Sequence, residues 1–350
     1  MAGIGLFLAS RPFGWNPASG RSRPWLFPAA LLYRAASGAH AAWMRLRADT
    51  PPGPPLVIVG ALRSGGSGKT SVTAALAAAF RHRGLRVGIL AWRAGKGRGR
   101  EAAQPVDPSA DWRVFSDEAV LLARETGCPV FAARDRAAAR RVLAKAPLDL
   151  LLSDDGFQDR RLGGAFRILL QAPGEAPGLA DLLPAGPFRE TAAARSRADL
   201  VLEGPWPGDP LPGSGSGEVH FFRRRFLPPS LPVGAPCIVL ASLGDPSPFL
   251  ADLERAGIRP AAVICGPNHG EPPFMRIRAA LRAHPGARVL CTAKEAVRLE
   301  GDPRAPRGLR VAAQEIALEA RTLDRILASL GIGRPAGSGG LSAEKTNLVH

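Results

Sequence analysis

The chain has 350 residues, of which 46% are hydrophobic and 22% charged, and its formal net charge is +16. This length favours two domains and suffices for buried cores without cross-links. The composition excludes an acidic disordered chain, a collagen, a disulfide miniprotein and a polytopic membrane protein. The positive charge fits a nucleic acid, a phospholipid surface or a phosphorylated substrate as partner, and it equally fits an arginine-rich codon usage.

The four cysteines stand apart in the sequence, with neither a C-x-x-C pair nor a nearby histidine. Isolated cysteines of this kind are typical of reduced thiols in a cytosolic protein and do not predict a zinc site. The apolar start of the chain has no basic region before it, so we expect no signal peptide.

An amphipathic helix is predicted over residues 25–46, within an N-terminal segment that spans residues 1–50. Arg34 interrupts its apolar run too early for a membrane span. The helix either lies in a membrane interface or packs on its own domain as an ordinary amphipathic helix. Its apolar face is formed by Leu32, Ala36, Ala39, Trp43 and Leu46.

After a proline-rich break at residues 51–55, apolar strands and helices alternate. This order is typical of an α/β fold, in which helices flank a parallel sheet. We predict strands at 56–62, 87–92, 129–132, 148–153, 168–171 and 200–202. We predict helices at 69–83, 117–126 and 135–146.

Residues 204–217 are rich in proline, glycine and serine and are predicted to be a linker. A second, smaller α/β domain is predicted over 218–330, and residues 331–350 are expected to be disordered. The phosphate-binding core then occupies 51–203. In the second domain we predict strands at 237–241, 262–265, 289–292 and 310–316, and helices near 249–256 and 317–330.

A glycine-rich segment, Arg63-Ser-Gly-Gly-Ser-Gly-Lys69-Thr70, lies between the first predicted strand and the following helix. Its glycines let the backbone curl so that N–H groups point at a phosphate, and the helix dipole adds to the attraction. The lysine of such a loop reaches the β- and γ-phosphates, and the threonine hydroxyl ligates Mg²⁺. Arg63 replaces the first glycine of G-x-x-x-x-G-K-[ST], but the strand–loop–helix context favours a nucleotide site over chance glycines. The expected nucleotide-binding residues are Gly65, Gly66, Ser67, Gly68, Lys69 and Thr70.

An apolar strand ends in two acids, Asp154 and Asp155, which are followed by Gly-Phe-Gln158. The carboxyl end of a parallel strand lies at the same sheet edge as the phosphate loop, where carboxylates hold Mg²⁺ directly or through water. The alternative is a surface Asp-Asp turn. Together with the phosphate loop, the pattern favours Thr70, Asp154 and Asp155 as metal ligands.

Several separate motifs resemble those of the tetraacyldisaccharide 4′-kinases, which phosphorylate the lipid A precursor. The phosphate loop is similar to the family's G-G-T-G-K-T, and Asp154-Asp-Gly-Phe-Gln158 is similar to its D-D-G-L-Q. Leu183-Pro-Ala-Gly-Pro-Phe-Arg189-Glu190 resembles L-P-A-G-P-L-R-E almost letter for letter, and Ser116-Asp117-Glu118 resembles G-D-E. The resemblance implies a P-loop kinase fold for the 51–203 core, with ATP and Mg²⁺ as cofactors.

The resemblance continues into the second domain. Asn268-His269 stands where the family has Asp-His, and the segment from Thr292 to Val297 resembles T-E-K-D-A-V. It implies that Asp117 and His269 orient and deprotonate the sugar 4′-hydroxyl, while Lys69 positions the ATP phosphates for transfer.

The resemblance also implies where the glycolipid binds. The candidates are Arg189, Glu190, Gln158, Arg134 and Arg136, of which the last two are candidates for the phosphate that the acceptor already carries. Taken alone, Arg189 and Glu190 are more often solvated loop charges than substrate ligands.

The chain departs from the family on the acceptor side. Ala91-Trp-Arg93-Ala-Gly95-Lys96-Gly97 replaces S-R-G-Y-G, Asp159 replaces a histidine, and Gly270 replaces the second of two neighbouring histidines. These differences keep open a diverged member with an altered lipid acceptor or weak activity. A non-kinase P-loop ATPase or GTPase switch is a further alternative.

The resemblance implies phosphorylation of the 4′-hydroxyl of tetraacyldisaccharide 1-phosphate to give lipid IVA, on the cytoplasmic face of a bacterial inner membrane. An enzyme that acts on a bilayer lipid must reach the bilayer surface, which favours the interfacial interpretation of the helix at 25–46. We expect a monomer that binds no nucleic acid.

Overall fold

The computed structural model describes residues 23–94, 101–205, 219–231, 236–243, 246–266 and 270–333. The chain divides into two compact units. One unit comprises the described parts of Ser22–Arg225 and Ile316–Leu348, and the other comprises those of Phe226–Glu315.

The first unit contains both strands and helices up to the linker region. In chain order they are α1 (Phe27–Arg45), β1 (Leu56–Ala61), α2 (Lys69–His82), β2 (Val87–Trp92), β3 (Gln104–Pro105), α3 (Trp112–Phe115), α4 (Asp117–Thr126), β4 (Val130–Ala133), α5 (Arg136–Leu143), β5 (Leu150–Asp154), β6 (Phe166–Gln171) and β7 (Leu200–Glu203). The later elements are β8 (Val219–Leu227), β9 (Cys237–Leu240), α6 (Ser247–Arg255), β10 (Ala262–Ile264), α7 (Phe274–Ala283), β11 (Arg288–Thr292), α8 (Ala293–Leu299), β12 (Arg310–Leu318) and α9 (Ala320–Ser329).

The sheet of the first unit runs in the order β8-β7-β6-β1-β5-β2-β4-β3. The short strand β3 pairs antiparallel with β4, and the other neighbouring strands pair parallel. All six residues of β1 are buried, as expected of a strand covered on both faces. The predicted α/β class, with a mostly parallel sheet flanked by helices, is confirmed.

The second unit has its own parallel sheet, in the order β10-β9-β11-β12. Its core lies between the sheet and α7, and it includes Ile238, Leu240, Ile264, Ile277 and Leu299. A buried core of this size gives the unit a hydrophobic centre of its own.

Five elements are absent from the sequence-based prediction: β3, α3, β8, α7 and α8. The strand β3 and the helix α3 have two and four residues, too few for a periodic pattern. In β8 the segment His-Phe-Phe-Arg-Arg-Arg has consecutive arginines, which hide the alternation of buried and less buried side chains. The helices α7 and α8 have ten and seven residues. Helices this short show too few turns for a clear period of 3.6 residues.

Helix α9, the last among the described residues, packs on the phosphate-loop unit. Arg83, just beyond α2, pairs with Asp324 at 2.7 Å. The buried His220 ring nitrogen Nδ1 lies 2.9 Å from the hydroxyl of Thr322, with which it forms a hydrogen bond. The C-terminal helix therefore helps to hold the helix that carries the phosphate loop.

Candidate active site

The segment between β1 and α2 forms a tight loop. Gly65, Gly66 and Gly68 have φ angles of 82°, 68° and 73°, which side chains larger than glycine rarely adopt. Gly68 is the N-cap residue of α2, so the first N–H groups of that helix face the loop. Such a helix start attracts anions, and the predicted phosphate loop has the geometry that phosphate binding needs.

Lys69 connects the loop with the end of β5. Its ammonium Nζ donates a hydrogen bond to Ser67 Oγ at 2.9 Å and lies 3.8 Å from Asp155 Oδ1. The side chain is 10% exposed, so its charge acts in a partly desolvated site. The lysine thus stands between the loop and the acidic pair.

Asp154, the last residue of β5, is buried and accepts two side-chain hydrogen bonds. The Thr70 hydroxyl donates to Oδ2 at 3.0 Å and the Thr73 hydroxyl to Oδ1 at 3.3 Å. Burial, with the nearby charges of Glu118 and Asp155, raises the pKa of Asp154 to about 7. A buried carboxylate of this kind gains most from a cation placed beside it.

The donors at this point suit Mg²⁺. Hydroxyl and carboxylate oxygens are its preferred protein ligands, and Thr70 and Asp154 already lie in contact. Within the described ranges, no cluster of three or more His, Cys, Asp or Glu side chains forms an all-protein metal site. A metal held here would therefore take further ligands from nucleotide phosphates and water.

Asp155 has a left-handed backbone, with φ 52°, and forms a two-pronged ion pair. Arg189 Nη1 donates to Oδ1 at 2.8 Å and Nη2 to Oδ2 at 3.0 Å. Burial opposes ionisation of Asp155, but Lys69 and Arg189 outweigh it and hold the pKa of the carboxyl below its usual range. Arg189 Nη1 also donates to Gln158 Oε1 at 3.2 Å, and Gln158 Nε2 donates to the Ala61 carbonyl at 3.0 Å.

The segment 183–190 lies along the start of the phosphate loop. Ser64 N donates to the Pro187 carbonyl at 2.8 Å, and Arg189 N donates to the Leu62 carbonyl at 2.7 Å. The motif therefore holds the phosphate loop through the backbone while its arginine binds Asp155. The sequence indicates that this segment matters but not that it contacts the nucleotide loop.

Asp117 begins α4 and is buried. The helix starts where Ser116 Oγ accepts from Ala119 N at 3.1 Å and donates to the carbonyl of Trp92, the last residue of β2, at 3.0 Å. Since β2 pairs with β5, this contact places Asp117 at the same sheet edge as the acidic pair. Asp117 Oδ1 accepts from Glu118 N at 3.0 Å. Its predicted partner His269 lies outside the described residues.

The two arginines predicted for the acceptor's phosphate differ in their surroundings. Arg134 is exposed after β4, whereas Arg136 is buried and donates to the backbone carbonyl of Asp154 at 2.8 Å. The Arg136 guanidinium lies 5.6 Å from the centroid of the Trp92 ring. These contacts position the end of β5, and a substrate role for either arginine stays a prediction.

Glu190 is half-buried between two arginines. It accepts from Arg160 Nη2 at 3.3 Å and from Arg197 Nη2 at 2.8 Å. Neither arginine is singled out by the sequence, because they are two among 41 and belong to none of the motifs described above. This pair is the part of the site that sequence reasoning misses.

Asp159, which replaces the family's histidine, is neutralised by a neighbour. Arg161 donates to it through Nε at 3.0 Å and Nη2 at 2.8 Å, and Arg161 Nη1 also pairs with Asp135 at 3.0 Å. The negative charge of Asp159 is therefore balanced by Arg161 within the same loop.

In the second unit, the segment that resembles T-E-K-D-A-V is a helix start. Thr292 and Glu295 form a capping box at α8, in which Glu295 accepts from Thr292 N at 3.0 Å and from the Thr292 hydroxyl at 3.1 Å. The buried Glu295 also accepts from Ser242 N. Glu295 is therefore explained by its structural role, which is to cap the start of α8.

Helix α1 rests on the 183–190 segment. Ala30 packs with Leu182 and Ala185, and Arg23 N donates to the Ala185 carbonyl at 2.9 Å. Along the rest of α1 the predicted apolar face points outward, and its largest exposed members are Leu32, Trp43 and Leu46. Trp25, just before α1, is exposed as well. Within the described ranges no helix has both the length and the hydropathy to cross a bilayer.

Comparison with known proteins places this chain among described relatives. The family model for tetraacyldisaccharide-1-P 4′-kinase, LpxK, matches residues 22–331. The tetraacyldisaccharide 4′-kinase of Gluconacetobacter diazotrophicus is 36% identical over 297 residues, which cover 78% of this chain and 84% of that protein. The one from Alkalilimnicola ehrlichii is 32% identical over 342 residues, 94% of this chain and 97% of that protein.

One solved structure shares the fold. LpxK from Aquifex aeolicus, crystallised in complex with ATP, matches with a TM-score of 0.65 and 24% identity. The match covers 87% of this chain and 98% of that chain. At this identity the likeness speaks for the fold, which agrees with the P-loop arrangement described above.

Proposed function

Because the chain belongs to the tetraacyldisaccharide 4′-kinase family, we propose that its phosphate loop and the acids at the end of β5 carry out the transfer. The chain is an ATP-dependent lipid kinase of lipid A biosynthesis. It transfers phosphate to the 4′-hydroxyl of tetraacyldisaccharide 1-phosphate.

On the nucleotide side, the N–H groups of the loop and the start of α2 bind the phosphates of ATP. Lys69 is the cation placed to neutralise charge on the transferred group, since its ammonium already lies between the loop and Asp155. The aligned donors require little movement during transfer, which is how such sites lower the barrier.

Thr70 and Asp154 would hold Mg²⁺. When bound, the ion would supply positive charge that offsets the negative charge of the ATP phosphates. The Thr73 hydroxyl keeps the Asp154 carboxylate oriented toward the loop, because it donates to the oxygen that Thr70 does not bind. Both oxygens of Asp155 already accept from Arg189, so Asp155 acts mainly by fixing that guanidinium.

On the acceptor side, the 4′-hydroxyl must lose a proton as it attacks. We propose that Asp117, at the same sheet edge as Asp154, accepts that proton and that His269 helps to orient the hydroxyl. Arg189 contacts the acidic pair more closely than Lys69 does, at 2.8 Å from Asp155, and stabilises charge on the moving phosphoryl group. Gln158 and Glu190 flank Arg189 and line the glycolipid side of the site.

Helix α1 serves as the interface with the inner membrane, on its cytoplasmic face. Exposed tryptophan and leucine side chains on one face suit the boundary between headgroups and acyl chains. The helix packs on the segment that carries Arg189, so a lipid acceptor reaches the site without leaving the surface. The chain acts as a monomer.

One observation carries this proposal: Lys69, Thr70 and Arg189 converge on the adjacent acids Asp154 and Asp155. The test is transfer of label from [γ-³²P]ATP to tetraacyldisaccharide 1-phosphate in detergent with Mg²⁺. The unmodified chain should label the lipid, and Lys69→Ala and Asp117→Ala should each lower the rate by at least about a hundredfold.

The same assay separates the alternatives. ATP hydrolysis without labelled lipid would identify a diverged member with another acceptor. If both variants retained full transfer, the assigned residues would be wrong. Lys69→Ala should weaken ATP binding, whereas Asp117→Ala should leave it unchanged, which distinguishes the nucleotide side from the acceptor side.

A further inference from the structure

Arg160 and Arg197 donate to Glu190, and two further arginines, Arg45 and Arg167, lie close enough to act on their charges. These four arginines are here called the arginine cluster. Arg160 follows β5 and Arg197 precedes β7, while Arg45 lies in the last turn of α1 and Arg167 on β6. Burial lowers the pKa of Arg160, and the charges of Arg197 and Arg45 lower it further. The guanidiniums are therefore close enough to repel one another.

The cluster holds more positive than negative charge. Glu190 is the side chain that accepts from Arg160 and Arg197 within the described part of the chain. Arg167 donates to the neutral carbonyls of Leu162 at 2.7 Å and Ala165 at 3.2 Å, and Asp199 is the acid beside it. Asp159 also acts on Arg167 but is already paired with Arg161, so the four cations share the charges of Glu190 and Asp199.

Two of the arginines are also poorly solvated. The side chains of Arg160 and Arg197 are 10% and 19% exposed. Arg197 Nε is buried with no hydrogen-bond partner among the described residues, and the guanidinium lies 4.8 Å from the Phe157 ring centroid. Crowded cations with unused donors are costly unless an anion binds them.

The position of the cluster says which anion suits it. Glu190 directly follows Arg189, which binds Asp155 at the transfer site. The residue that binds the acidic pair and the residue that accepts from the arginine cluster are therefore neighbours in the sequence. Arg136 is occupied with the Asp154 carbonyl and Arg134 is exposed, so neither offers a comparable set of converging donors.

We propose that the arginine cluster binds the phosphate that the acceptor lipid already carries, through Arg160 and Arg197. This inference rests on the proposed function, since it names how the same site recognises its substrate. A phosphate monoester carries about −1.5 to −2 charges at pH 7, which balances the excess of the cluster. The planar guanidinium of arginine can donate two parallel hydrogen bonds to phosphate oxygens. Arg45, in the last turn of α1, adds a further positive charge to the cluster.

The test measures lipid binding without ATP. Tetraacyldisaccharide 1-phosphate and the same lipid without its phosphate are titrated in one detergent against the unmodified chain, Arg160→Gln and Arg197→Gln. Each variant should bind the phosphorylated lipid about tenfold or more weakly and the other lipid unchanged. Arg195→Gln, in the same 3₁₀ turn but exposed, is the matched control and should change neither.

Two further variants guard against unfolding. Arg160→Lys and Arg197→Lys keep the charge and lose the fork, so they should fall between the unmodified chain and the Gln variants. Equal weakening for both lipids would show a structural role and overturn the proposal. No weakening for either lipid would overturn it as well.

A second arm distinguishes the acceptor from the membrane. Binding to vesicles of phosphatidylglycerol and of phosphatidylcholine is compared for the same variants. If the variants lost only their preference for phosphatidylglycerol and still distinguished the two acceptors, the cluster would bind headgroups, and the proposal would be wrong. Because ATP is absent, this result stands apart from any failure of phosphoryl transfer.

Discussion

Arg189 and Asp155 form a two-pronged ion pair, with Nη1–Oδ1 and Nη2–Oδ2 distances of 2.8 and 3.0 Å. The backbone N–H of Arg189 binds the Leu62 carbonyl at the start of the phosphate loop. One residue therefore links the 183–190 segment, the phosphate loop and the end of β5. The pair explains how the acidic end of β5 keeps its orientation while both carboxylates lie close together.

Replacing Arg189 by Lys should lower kcat by at least about tenfold. A lysine cannot donate to both oxygens of Asp155 in a plane, so the carboxylate loses one of its fixed contacts. The backbone contact to Leu62 survives, and ATP binding should change less than the rate. Steady-state kinetics with the acceptor lipid measure both values, and Arg195→Lys is the exposed control. An unchanged kcat would mean that the fork has no part in transfer.

The sequence alone predicts the strands β1, β2 and β5 and the phosphate loop, because buried parallel strands and glycine-rich turns have strong local signals. It also predicts Asp154 as part of the site, since an acid at the end of such a strand can only face that edge. Asp154 lies opposite Val59 of β1 in the sheet register, as this reasoning requires.

Contacts between distant segments could not be predicted in this way. The pairs Arg189–Asp155 and Arg197–Glu190 join residues 34 and 7 positions apart through side chains whose directions depend on the whole fold. Periodicity also does not tell on which unit a helix packs, as α9 illustrates. The motif at Thr292 resembles a site, yet its contacts are those of a helix cap.

Asp154→Asn should raise the Mg²⁺ concentration that gives half-maximal kinase activity by at least about tenfold. The amide keeps the shape of the side chain but carries no charge for a divalent cation. A titration of activity with Mg²⁺ measures the change, and a chelator should stop turnover reversibly in the unmodified chain. Asp149→Asn is the matched control, because Asp149 pairs with Arg86 on the surface, just before β5 begins. Equal effects of both substitutions would contradict the assignment.

Gly186→Ala should destabilise the 183–190 segment and lower activity. A Cβ at this position would lie 2.6 Å from the carbonyl carbon of Asp181 and 2.7 Å from its Cα, so the backbone must shift. Such overpacking costs about 1–3 kcal/mol. Thermal unfolding and kinase rate measure the effect. Gly178→Ala, whose Cβ would lie 3.6 Å from the Asp181 carboxylate, is the control that should change little.

Glu125→Gln should stabilise the chain above neutral pH. Burial raises the pKa of Glu125 from 4.5 to about 7. Folding therefore favours the protonated acid, and this stabilisation is complete below pH 4.5 and is lost as the pH rises through 7. At 1.36 kcal/mol per pH unit, the loss amounts to about 3 kcal/mol at most.

Denaturant unfolding at pH 4.5 and pH 8 measures this effect. The variant and the unmodified chain should have similar free energies of unfolding at pH 4.5, and the variant should be the more stable at pH 8. The exposed Glu101→Gln serves as control. A variant that was less stable at pH 8 would show that the Glu125 carboxylate makes a favourable contact.

Leu32→Ser with Leu46→Ser should release the chain from vesicles without loss of fold. These side chains are 73% and 88% exposed on the apolar face of α1, so the core loses nothing when they change. Burying a leucine in the interface contributes about 1.5 kcal/mol or more, so the double variant should bind at least about a hundredfold more weakly. Sedimentation with phospholipid vesicles measures the partition. Ser37→Ala, which lies off that face, is the control and should sediment like the unmodified chain. If the double variant also sedimented like the unmodified chain, α1 would be a packing helix and the membrane assignment would be wrong.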